Sequence, residues 1–450
     1  MVARVVIAAP GSGHGKTTVA AGLMAALRAA GHRVSGHKVG PDFIDPGYHA
    51  LATGRPARNL DPFLQGDERL VPLLRHGSAG ADIAVIEGVM GLFDGALGTE
   101  GYASTAHVAR LLDAPVVLVV DASAASRSVA ATVLGFASYD TRVRLAGVIL
   151  NKLGSQRHED EIASALEATG VPLLGALRRN ENVHAPSRHL GLVPAAERAA
   201  DSRRVLPELA DWVAGGVDLE AVVRVARGAP RLNGPMWTPP GDVAGPRAVV
   251  AAAAGPAFTF RYTENVELLA ASGVDVVDVD PLRDKALPEG CAGLYFGGGF
   301  PEVHAAELSA NRELREQVAA AIARGMPVSA ECAGLLYLCE SLDGLPMVGA
   351  LPATAAMTKR GKLGYRTAVS LSDNVVAPAG TRVTGHEFHR TEVTPGHGAT
   401  PAWGWDRVRD GFASASLHAS YLHVHWAGYP ELAQRFAAKV RAFAPVTSHG

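Results

Sequence analysis

Residues 9–18 read Ala-Pro-Gly-Ser-Gly-His-Gly-Lys-Thr-Thr and lie between a predicted strand, Arg4–Ala9, and a predicted helix, Thr17–Ala30. In such a turn, glycines let backbone N–H groups point at phosphate oxygens, while the lysine and the next hydroxyl meet phosphate and Mg²⁺. Pro10 stands where the motif's first glycine belongs, and a glycine-rich turn without a ligand is the alternative. The order of strand, turn, lysine, hydroxyl and helix nevertheless predicts a nucleotide phosphate loop.

Two further loops are predicted at the carboxyl edge of the same sheet, where doubly wound sheets bind their ligands. One is Glu87–Gly95, after the predicted strand Ile83–Ile86, and the other is Lys38–His49. Their carboxylates suit Mg²⁺, although Asp42 and Asp45 could equally cap turns beside proline. Asn151–Gly154 resembles the base-recognition corner of related nucleotide-binding folds. The predicted nucleotide-binding residues are Gly13, His14, Gly15, Lys16, Thr17, Thr18, Lys38 and Asn151, and the predicted Mg²⁺ ligands are Thr17, Asp45 and Glu87.

Composition excludes several classes of protein. The chain has 450 residues, which suits two or three domains, and carries 42 Lys and Arg against 44 Asp and Glu. This balance gives no electrostatic footprint for nucleic acid or a membrane surface. No apolar run reaches the roughly 18 residues of a transmembrane helix and no leader is recognisable, so a cytoplasmic protein is predicted. The three cysteines, Cys291, Cys332 and Cys339, fit neither a disulfide framework nor a zinc pattern.

Apolar strand-like runs alternate with helix-like segments along most of the chain, which is typical of parallel sheets covered on both faces. The alternation stops in a stretch rich in proline and glycine and then resumes, with a single helix predicted over 302–324. Such a stretch predicts an interdomain linker. We therefore expect a first domain over 1–228, a linker over 229–246 and a second domain over 247–450.

A candidate nucleophile lies in the second half of the chain. The predicted strand Pro327–Ala330 leads into Glu331-Cys332-Ala333-Gly334 and then into a predicted helix. Small residues around a cysteine at such a junction allow the sharp turn that exposes the thiol, and a helix N-terminus favours the thiolate. The N–H groups of Gly297–Gly299 and of Ala333 are candidates for an oxyanion hole. Cys291 and Cys339 are expected to be buried and inert.

The thiol requires a base. Ser420–Trp426 is predicted as a strand that places His423 and His425 on one face. His386 and His389 are further candidates, and His423 is preferred.

A phosphate loop and a Cys/His elbow of the class I glutamine amidotransferase kind occur together in this chain. Together they resemble the glutamine-hydrolysing cobyrinate and hydrogenobyrinate a,c-diamide synthases of corrinoid biosynthesis. Gly255-Pro256 departs from that family, which usually has an acidic residue there. The matching stretches are Pro10–Thr18, Lys38–His49 (KVGPDFIDPGYH), Asn59–Pro62 (NLDP), Glu87–Gly95, Asn151–Gly154, Leu190–Glu197 (LGLVPAAE), Leu294–Glu302, Ala330–Leu338, Gly385–Thr391 (GHEFHRT) and Ala419–Trp426.

The resemblance implies an α/β protein in two parts: an N-terminal P-loop NTPase-like doubly wound parallel sheet, similar to dethiobiotin synthase, and a C-terminal class I glutamine amidotransferase-like domain. It implies that Cys332 attacks glutamine with help from His423, and that Mg·ATP activates two acetate carboxylates of hydrogenobyrinic or cobyrinic acid. Asp42 and Asp94 would steer the acyl-phosphate step or the incoming ammonia, beside Asp45. The expected partners are ATP, glutamine and the corrinoid acid, without nucleic acid or membrane, and a homodimer stays open.

Two kinds of alternative remain at this stage. Cobyric acid synthase and the nickel-sirohydrochlorin enzyme use related logic on other carboxylates, but KVGPDFIDPGYH and GHEFHRT favour the a,c-diamide family. A partition-type nucleotide switch would have a lysine early in the phosphate loop, where this chain has Gly11 and Ser12, and would have no cysteine elbow. Dethiobiotin synthase would end near the predicted linker.

Overall fold

A computed structural model describes residues 2–180, 187–188, 191–192, 199–241, 243 and 245–444, with backbone only at 187–188, 191–192 and 199–204. The chain forms two compact units. The first comprises residues 1–62 and 66–238, and the second comprises 63–65 and 239–450. The first part of the predicted linker packs on the first unit, since Trp237 N–H donates to the Pro72 carbonyl at 3.0 Å. The LGLVPAAE stretch lies outside the described residues except for the backbone of Gly191 and Leu192.

The first unit is built on one seven-stranded sheet in the order β3-β2-β4-β1-β5-β6-β7, in which every neighbouring pair is parallel. Its strands are β1 (Ala3–Ala8), β2 (Val34–Val39), β3 (Arg58–Leu60), β4 (Ile83–Glu87), β5 (Val116–Asp121), β6 (Leu145–Leu153) and β7 (Leu173–Arg178), with a separate pair β8 (Ser187–Arg188) and β9 (Gly191–Leu192). β2 and β4 are buried at every residue. β4 has the apolar run that a strand buried on both faces requires, whereas β2 also buries Ser35, His37 and Lys38.

Helices follow most of these strands and cover the sheet. They are α1 (Lys16–Ala29), α2 (Asp45–Thr53), α4 (Asp67–Gly77), α5 (Thr105–Leu111), α6 (Ser128–Tyr139), α7 (Gln156–Glu167), α8 (Ala199–Gly216) and α9 (Leu219–Arg227). The short helix α3 (Pro62–Gln65) precedes α4 in the chain, and its last three residues belong to the second unit. Apolar residues of α1, such as Leu23 and Leu27, share a core with Val213 of α8 and with the central strands. The doubly wound parallel sheet predicted from sequence is confirmed.

The second unit contains a six-stranded sheet in the order β11-β10-β12-β13-β21-β20 and a second sheet formed by β14 to β19. Its strands are β10 (Ala248–Ala253), β11 (Val274–Val279), β12 (Cys291–Phe296), β13 (Val328–Glu331), β14 (Ser341–Leu342), β15 (Leu345–Pro346), β16 (Thr354–Ser370), β17 (Arg382–Thr394), β18 (Trp403–Trp405), β19 (Val408–Asp410), β20 (Phe412–Ala413) and β21 (Leu417–Ser420). Its helices are α10 (Thr263–Ala271), α11 (Ala305–Ala310), α12 (Arg312–Ala323), α13 (Ala333–Leu338) and α14 (Pro430–Phe443), with a 3₁₀ turn at Trp426–Gly428.

Two local predictions for this unit are wrong. The single helix expected over 302–324 is divided into α11 and α12 at Asn311, whose amide donates to the carbonyls of Pro281 and Asp284 at 2.8 and 2.7 Å. The strand expected over Ser420–Trp426 ends at Ser420. Tertiary hydrogen bonds decide both points, and local sequence patterns do not contain them. Within the described residues, the search for a helix long and apolar enough to cross a membrane found none.

Candidate active sites

The phosphate loop precedes α1, whose first three residues are Lys16, Thr17 and Thr18. Gly15 has φ of 84°, a backbone conformation that favours glycine, and a Cβ there would lie 2.3 Å from the Asn151 amide nitrogen. That amide donates to the His14 carbonyl at 2.9 Å, while its oxygen accepts the Lys152 N–H at 2.8 Å. Both ends of the Asn151 amide are thus engaged with backbone, and the residue shapes the loop.

Lys152 was not among the predicted site residues. Its Nζ donates to the Gly13 carbonyl at 2.9 Å and lies 2.6 Å from Asp121 at the end of β5. The Asp121 N–H also donates to His14 Nδ1 at 2.9 Å. The predicted loop residues are therefore held by the ends of β5 and β6. Only the parallel sheet brings these groups together, although the Asn-Lys pair, which lies within β6, was visible in the sequence.

The three predicted Mg²⁺ ligands meet beside the loop. Thr17 Oγ1 lies 2.5 Å from Glu87 Oε1 and 3.3 Å from Asp45 Oδ2. The Lys38 ammonium lies 2.6 Å from Asp45 and 3.0 Å from Glu87, and Lys16 lies 3.7 Å from Glu87. Lys38, Asp45 and Glu87 are all buried.

One buried lysine cannot neutralise both carboxylates. Burial, together with the charges of Asp42 and Glu87, raises the pKa of Asp45 to about 8. Burial alone would raise the pKa of Glu87 as well, but Lys38 and His49 outweigh it and hold that pKa well below its ordinary value. Burial would lower the pKa of Lys38, yet Asp45 and Glu87 raise it. A divalent cation beside Asp45 would favour the ionised form of this carboxylate and so compensate for its burial.

The donor set fits Mg²⁺, which takes oxygen ligands and keeps several waters, so that a hydroxyl and two carboxylates suffice from the protein. Across the described ranges, no group of three or more His, Cys, Asp and Glu side chains is arranged to hold a metal ion. The fit therefore depends on Thr17 together with Asp45 and Glu87.

Asp42, Asp94 and His49 have different surroundings. Asp42 Oδ1 accepts the N–H groups of Ile44 and Asp45 at 2.7 and 3.0 Å, and its other oxygen lies 4.0 Å from Lys38. The turn-capping alternative thus describes one of its two oxygens. Asp94 is exposed and accepts the Gly91 N–H at 2.9 Å. His49, which was not singled out from the sequence, places Nε2 2.7 Å from Glu87 Oε2.

The backbone at Cys332 forms the sharp turn that the small residues around it predict. Cys332 has φ of 48° and ψ of −98° between β13 and α13, and its N–H donates to the Ser420 carbonyl at 2.8 Å. A Cβ on Gly334 would lie 2.5 Å from Phe296 Cβ, so the turn requires glycine there. The Gly334 N–H donates to the Gly297 carbonyl at 3.0 Å and joins the elbow to the loop after β12.

His423 lies at the same edge of the sheet. It exchanges two backbone hydrogen bonds of 3.0 Å with His386, and the two rings stack with centroids 4.8 Å apart. Its Nδ1 lies 3.9 Å from Glu331 Oε2, and a Cβ on Gly298 would lie 2.4 Å from its Cε1. The loops after β12, β13 and β21 therefore bring Gly298, Cys332 and His423 into one neighbourhood.

Burial dominates the electrostatics here. Together with the charge of Glu302, burial raises the pKa of the Cys332 thiol, and the Ala333 N–H offsets only a part of this effect. The N-terminus of α13 therefore acts in the predicted direction through the Ala333 N–H, but burial has the larger effect on the thiol. Burial and His389 lower the pKa of His423 to about 3, and burial raises that of Glu331 to about 8. The resting pair is a neutral thiol and a neutral imidazole, which can accept a proton.

The structure corrects two further expectations for this site. The Gly298 N–H donates to the Phe260 carbonyl at 3.0 Å, so it is not available to an oxyanion. His423 and His425 do not share a strand face, because β21 ends before them. His425 lies against Gln65 and the ring of Tyr262.

The remaining cysteines and histidines have contacts of their own. His389 stacks on Tyr421 with centroids 3.7 Å apart. Cys339 is buried, as expected, whereas Cys291 is only partly buried.

Comparison with known proteins agrees with this division of chemistry. Residues 249–430 match the CobB/CobQ-like glutamine amidotransferase domain, and residues 5–193 match the CobQ/CobB/MinD/ParA nucleotide binding domain. The chain is therefore an amidotransferase that joins these two domains in one polypeptide, and the predicted fold class is confirmed.

Relatives that match over almost the full chain identify the family within this class. The hydrogenobyrinate a,c-diamide synthase of Streptomyces coelicolor is 56% identical, covering 98% of each chain, and that of Thermobifida fusca is 57% identical over the same shares. The cobyrinate a,c-diamide synthase of Gloeobacter violaceus is 44% identical over 98% of this chain and 97% of that protein. The chain belongs to the family of hydrogenobyrinate and cobyrinate a,c-diamide synthases, which makes it an amide-forming ligase.

Proposed function

We propose that this chain amidates the a- and c-acetate carboxylates of a corrinoid acid in an ATP-dependent reaction, with ammonia from glutamine hydrolysis. The names of the full-length relatives support the reaction class. The identities of 56–57% to the hydrogenobyrinate enzymes, against 44% to a cobyrinate enzyme, favour hydrogenobyrinic acid as the substrate. The single structural observation that supports the proposal is the pairing of β13 with β21, since Cys332 directly follows β13, its N–H donates to the last residue of β21, and His423 lies three residues further along the chain.

In the second unit, neutral His423 takes the thiol proton of Cys332 as the sulfur attacks the side-chain amide carbon of glutamine. The tetrahedral adduct collapses, the C–N bond breaks, and His423 returns the proton to the departing ammonia. Water then hydrolyses the glutamyl thioester to glutamate and restores the thiol. The neutral resting pair suits this cycle, because a buried ion pair would be costly before substrate arrives.

In the first unit, an acetate oxygen attacks the γ-phosphate of ATP to give an acyl phosphate and ADP. Ammonia then attacks the acyl carbon, phosphate leaves, and one proton is lost to give the amide. The loop amides and Lys16 would hold the phosphates, while Thr17, Asp45 and Glu87 would hold Mg²⁺. When bound, Mg²⁺ supplies neutralisation of phosphate charge. Asp42 and Asp94 remain proposed contributors at the acyl-transfer step. The proposed domains are 1–228 and 247–450.

The Cys332→Ser substitution separates the two half-reactions. We expect the variant to lose glutamine-supported amidation and to keep ammonia-supported amidation, because the first unit needs only free ammonia. Cys291→Ser, a matched change at a partly buried cysteine of the same unit, should keep both. Products from hydrogenobyrinic and cobyrinic acid, incubated separately, would be weighed by mass spectrometry. Loss of both activities in Cys332→Ser, or retained use of glutamine, would overturn the proposal.

A further inference from the structure

Phe63–Gln65 is far in sequence from the rest of the second unit, yet it forms part of that unit. The Phe63 ring stacks on Tyr365 with centroids 4.3 Å apart, and the Thr384 hydroxyl donates to the Phe63 carbonyl at 2.6 Å. A Cβ on Gly428 would lie 2.3 Å from the Leu64 carbonyl oxygen. The tripeptide is therefore packed closely against the turn that follows His423.

Gln65 reaches His425 from this tripeptide. The two side chains are 1% and 0% exposed, and the Gln65 amide nitrogen lies 2.8 Å from His425 Nε2. His425 Nδ1 accepts the Ala427 N–H at 3.3 Å, so a neutral ring carries its proton on Nε2. Two facing N–H groups would repel each other, and a half-turn of the Gln65 amide presents Oε1 as the acceptor instead.

His425 opens the 3₁₀ turn Trp426–Gly428 and lies two residues after His423. Its ring stacks on Tyr262 with centroids 4.1 Å apart, and Glu264 Oε2 lies 3.6 Å from its Nε2. The Trp426 N–H donates to Asn265 at 2.9 Å. The turn is thus held on the α10 side by Tyr262, Glu264 and Asn265 and on the other side by Gln65.

We propose that Gln65 is a positioning residue for glutamine hydrolysis: it holds His425 in the Nε2–H tautomer and thereby fixes the turn that follows His423. The inference rests on the proposed function, since it presumes that His423 serves Cys332. A residue from the first 70 positions of the chain would then complete the glutaminase site. Gln65 itself touches neither the nucleophile nor, in this proposal, the substrate.

A pair of substitutions isolates the hydrogen bond from packing. Gln65→Met keeps the length of the side chain and removes the acceptor. Gln65→Glu keeps an acceptor oxygen, because a carboxyl group buried beside Glu264 has a raised pKa and should stay protonated. Gln434→Met, at an exposed glutamine of the same unit whose amide donates to the Pro240 carbonyl at 3.3 Å, is the matched control. The full chain is assayed for glutamine hydrolysis, for ammonia-supported amidation and for thermal unfolding.

We expect Gln65→Met to lower kcat for glutamine by about threefold to tenfold, as the loss of one buried hydrogen bond allows. The KM for glutamine should stay within about twofold, because the lost contact positions a turn and binds no substrate. Gln65→Glu and Gln434→Met should keep kcat within about twofold, and ammonia-supported amidation should be unchanged in all three variants.

An unchanged kcat in Gln65→Met would overturn the inference. Equal losses in Gln65→Met and Gln65→Glu, with equal falls in Tm, would also overturn it, because they would reveal packing alone. A failure of the proposed function is recognised separately, since it would appear as retained glutamine use in Cys332→Ser whatever the Gln65 variants do.

Discussion

Lys38 allows the charge balance of the first site to be tested directly. Its ammonium lies 2.6 Å from Asp45 and 3.0 Å from Glu87, and its side chain is only 2% exposed. Lys38→Met keeps most of the side-chain volume and leaves two buried carboxylates without their shared cation. Removing one partner of a buried ion pair costs about 3–5 kcal/mol. At about 2–4 °C per kcal/mol for a unit of this size, Tm should fall by about 6–20 °C.

The sign of the pH dependence follows from the carboxylates. In the parent protein the pKa of Glu87 is depressed, so its stabilising contribution is present above its unfolded pKa and is lost only as pH falls. Lys38 is the largest effect that lowers the pKa of Asp45 and of Glu87, so both folded pKa values should rise in Lys38→Met. Stability should then fall as pH rises through the interval between the unfolded and the folded values. The difference in Tm between parent and variant should therefore be larger at pH 8 than at pH 5. Millimolar Mg²⁺ should raise the Tm of the variant more than that of the parent.

Differential scanning calorimetry of both proteins at the two pH values, with and without Mg²⁺, measures these effects. Lys152→Met is the matched control, because Lys152 is 38% exposed and pairs with one carboxylate. Exposed pairs contribute about 0–1 kcal/mol, so its Tm should change little. A loss in Lys38→Met that is the same at pH 5 and pH 8 and insensitive to Mg²⁺ would show that only packing was lost. The charge argument would then fail.

Two further variants test other parts of the sites. Glu331→Gln should be more stable than the parent at pH 8 but not at pH 5. The parent has a folded pKa of about 8 at Glu331 and therefore loses stability as pH rises toward that value. Equal differences in Tm at both pH values would contradict this. Asn151→Ala should raise the KM for ATP by about twofold to tenfold, because the Asn151 amide donates to the His14 carbonyl at 2.9 Å and shapes the loop. An unchanged KM in steady-state assays would show that the loop keeps its shape without Asn151.

Sequence patterns predicted correctly those structural elements that depend on residues adjacent in the chain. The strand, glycine turn and helix around Lys16 occur as predicted, and so does the elbow at Cys332, because each depends on residues adjacent in the chain. The division of the helix at Asn311 depends on carbonyls of Pro281 and Asp284. No pattern within 302–324 contains those partners, so the sequence predicted one continuous helix.

The roles of single residues were harder to predict for the same reason. His49 on α2 contacts Glu87 at the end of β4, and Lys152 of β6 contacts Gly13 in the loop after β1. Both contacts depend on the strand order of the sheet, which the sequence does not state. Phe63–Gln65 is the extreme case, because it follows NLDP in the chain and packs within the second unit. Periodicity cannot assign a three-residue segment to a unit whose other residues begin at Pro239.

Burial affects different kinds of groups at the two sites. Around Thr17, burial and the charges of Asp42 and Glu87 raise the pKa of Asp45 to about 8, although Lys38 lies 2.6 Å away. Around Cys332 burial keeps the thiol protonated and His423 neutral, so no charge is stored before reaction. A cation should therefore change the stability of the first site, because it would interact with the buried carboxyl groups of Asp45 and Glu87. The same cation should leave the Cys332 thiol and the His423 imidazole unaffected, because neither group carries charge at rest. Glutamine hydrolysis then depends on how firmly the turn after His423 is positioned.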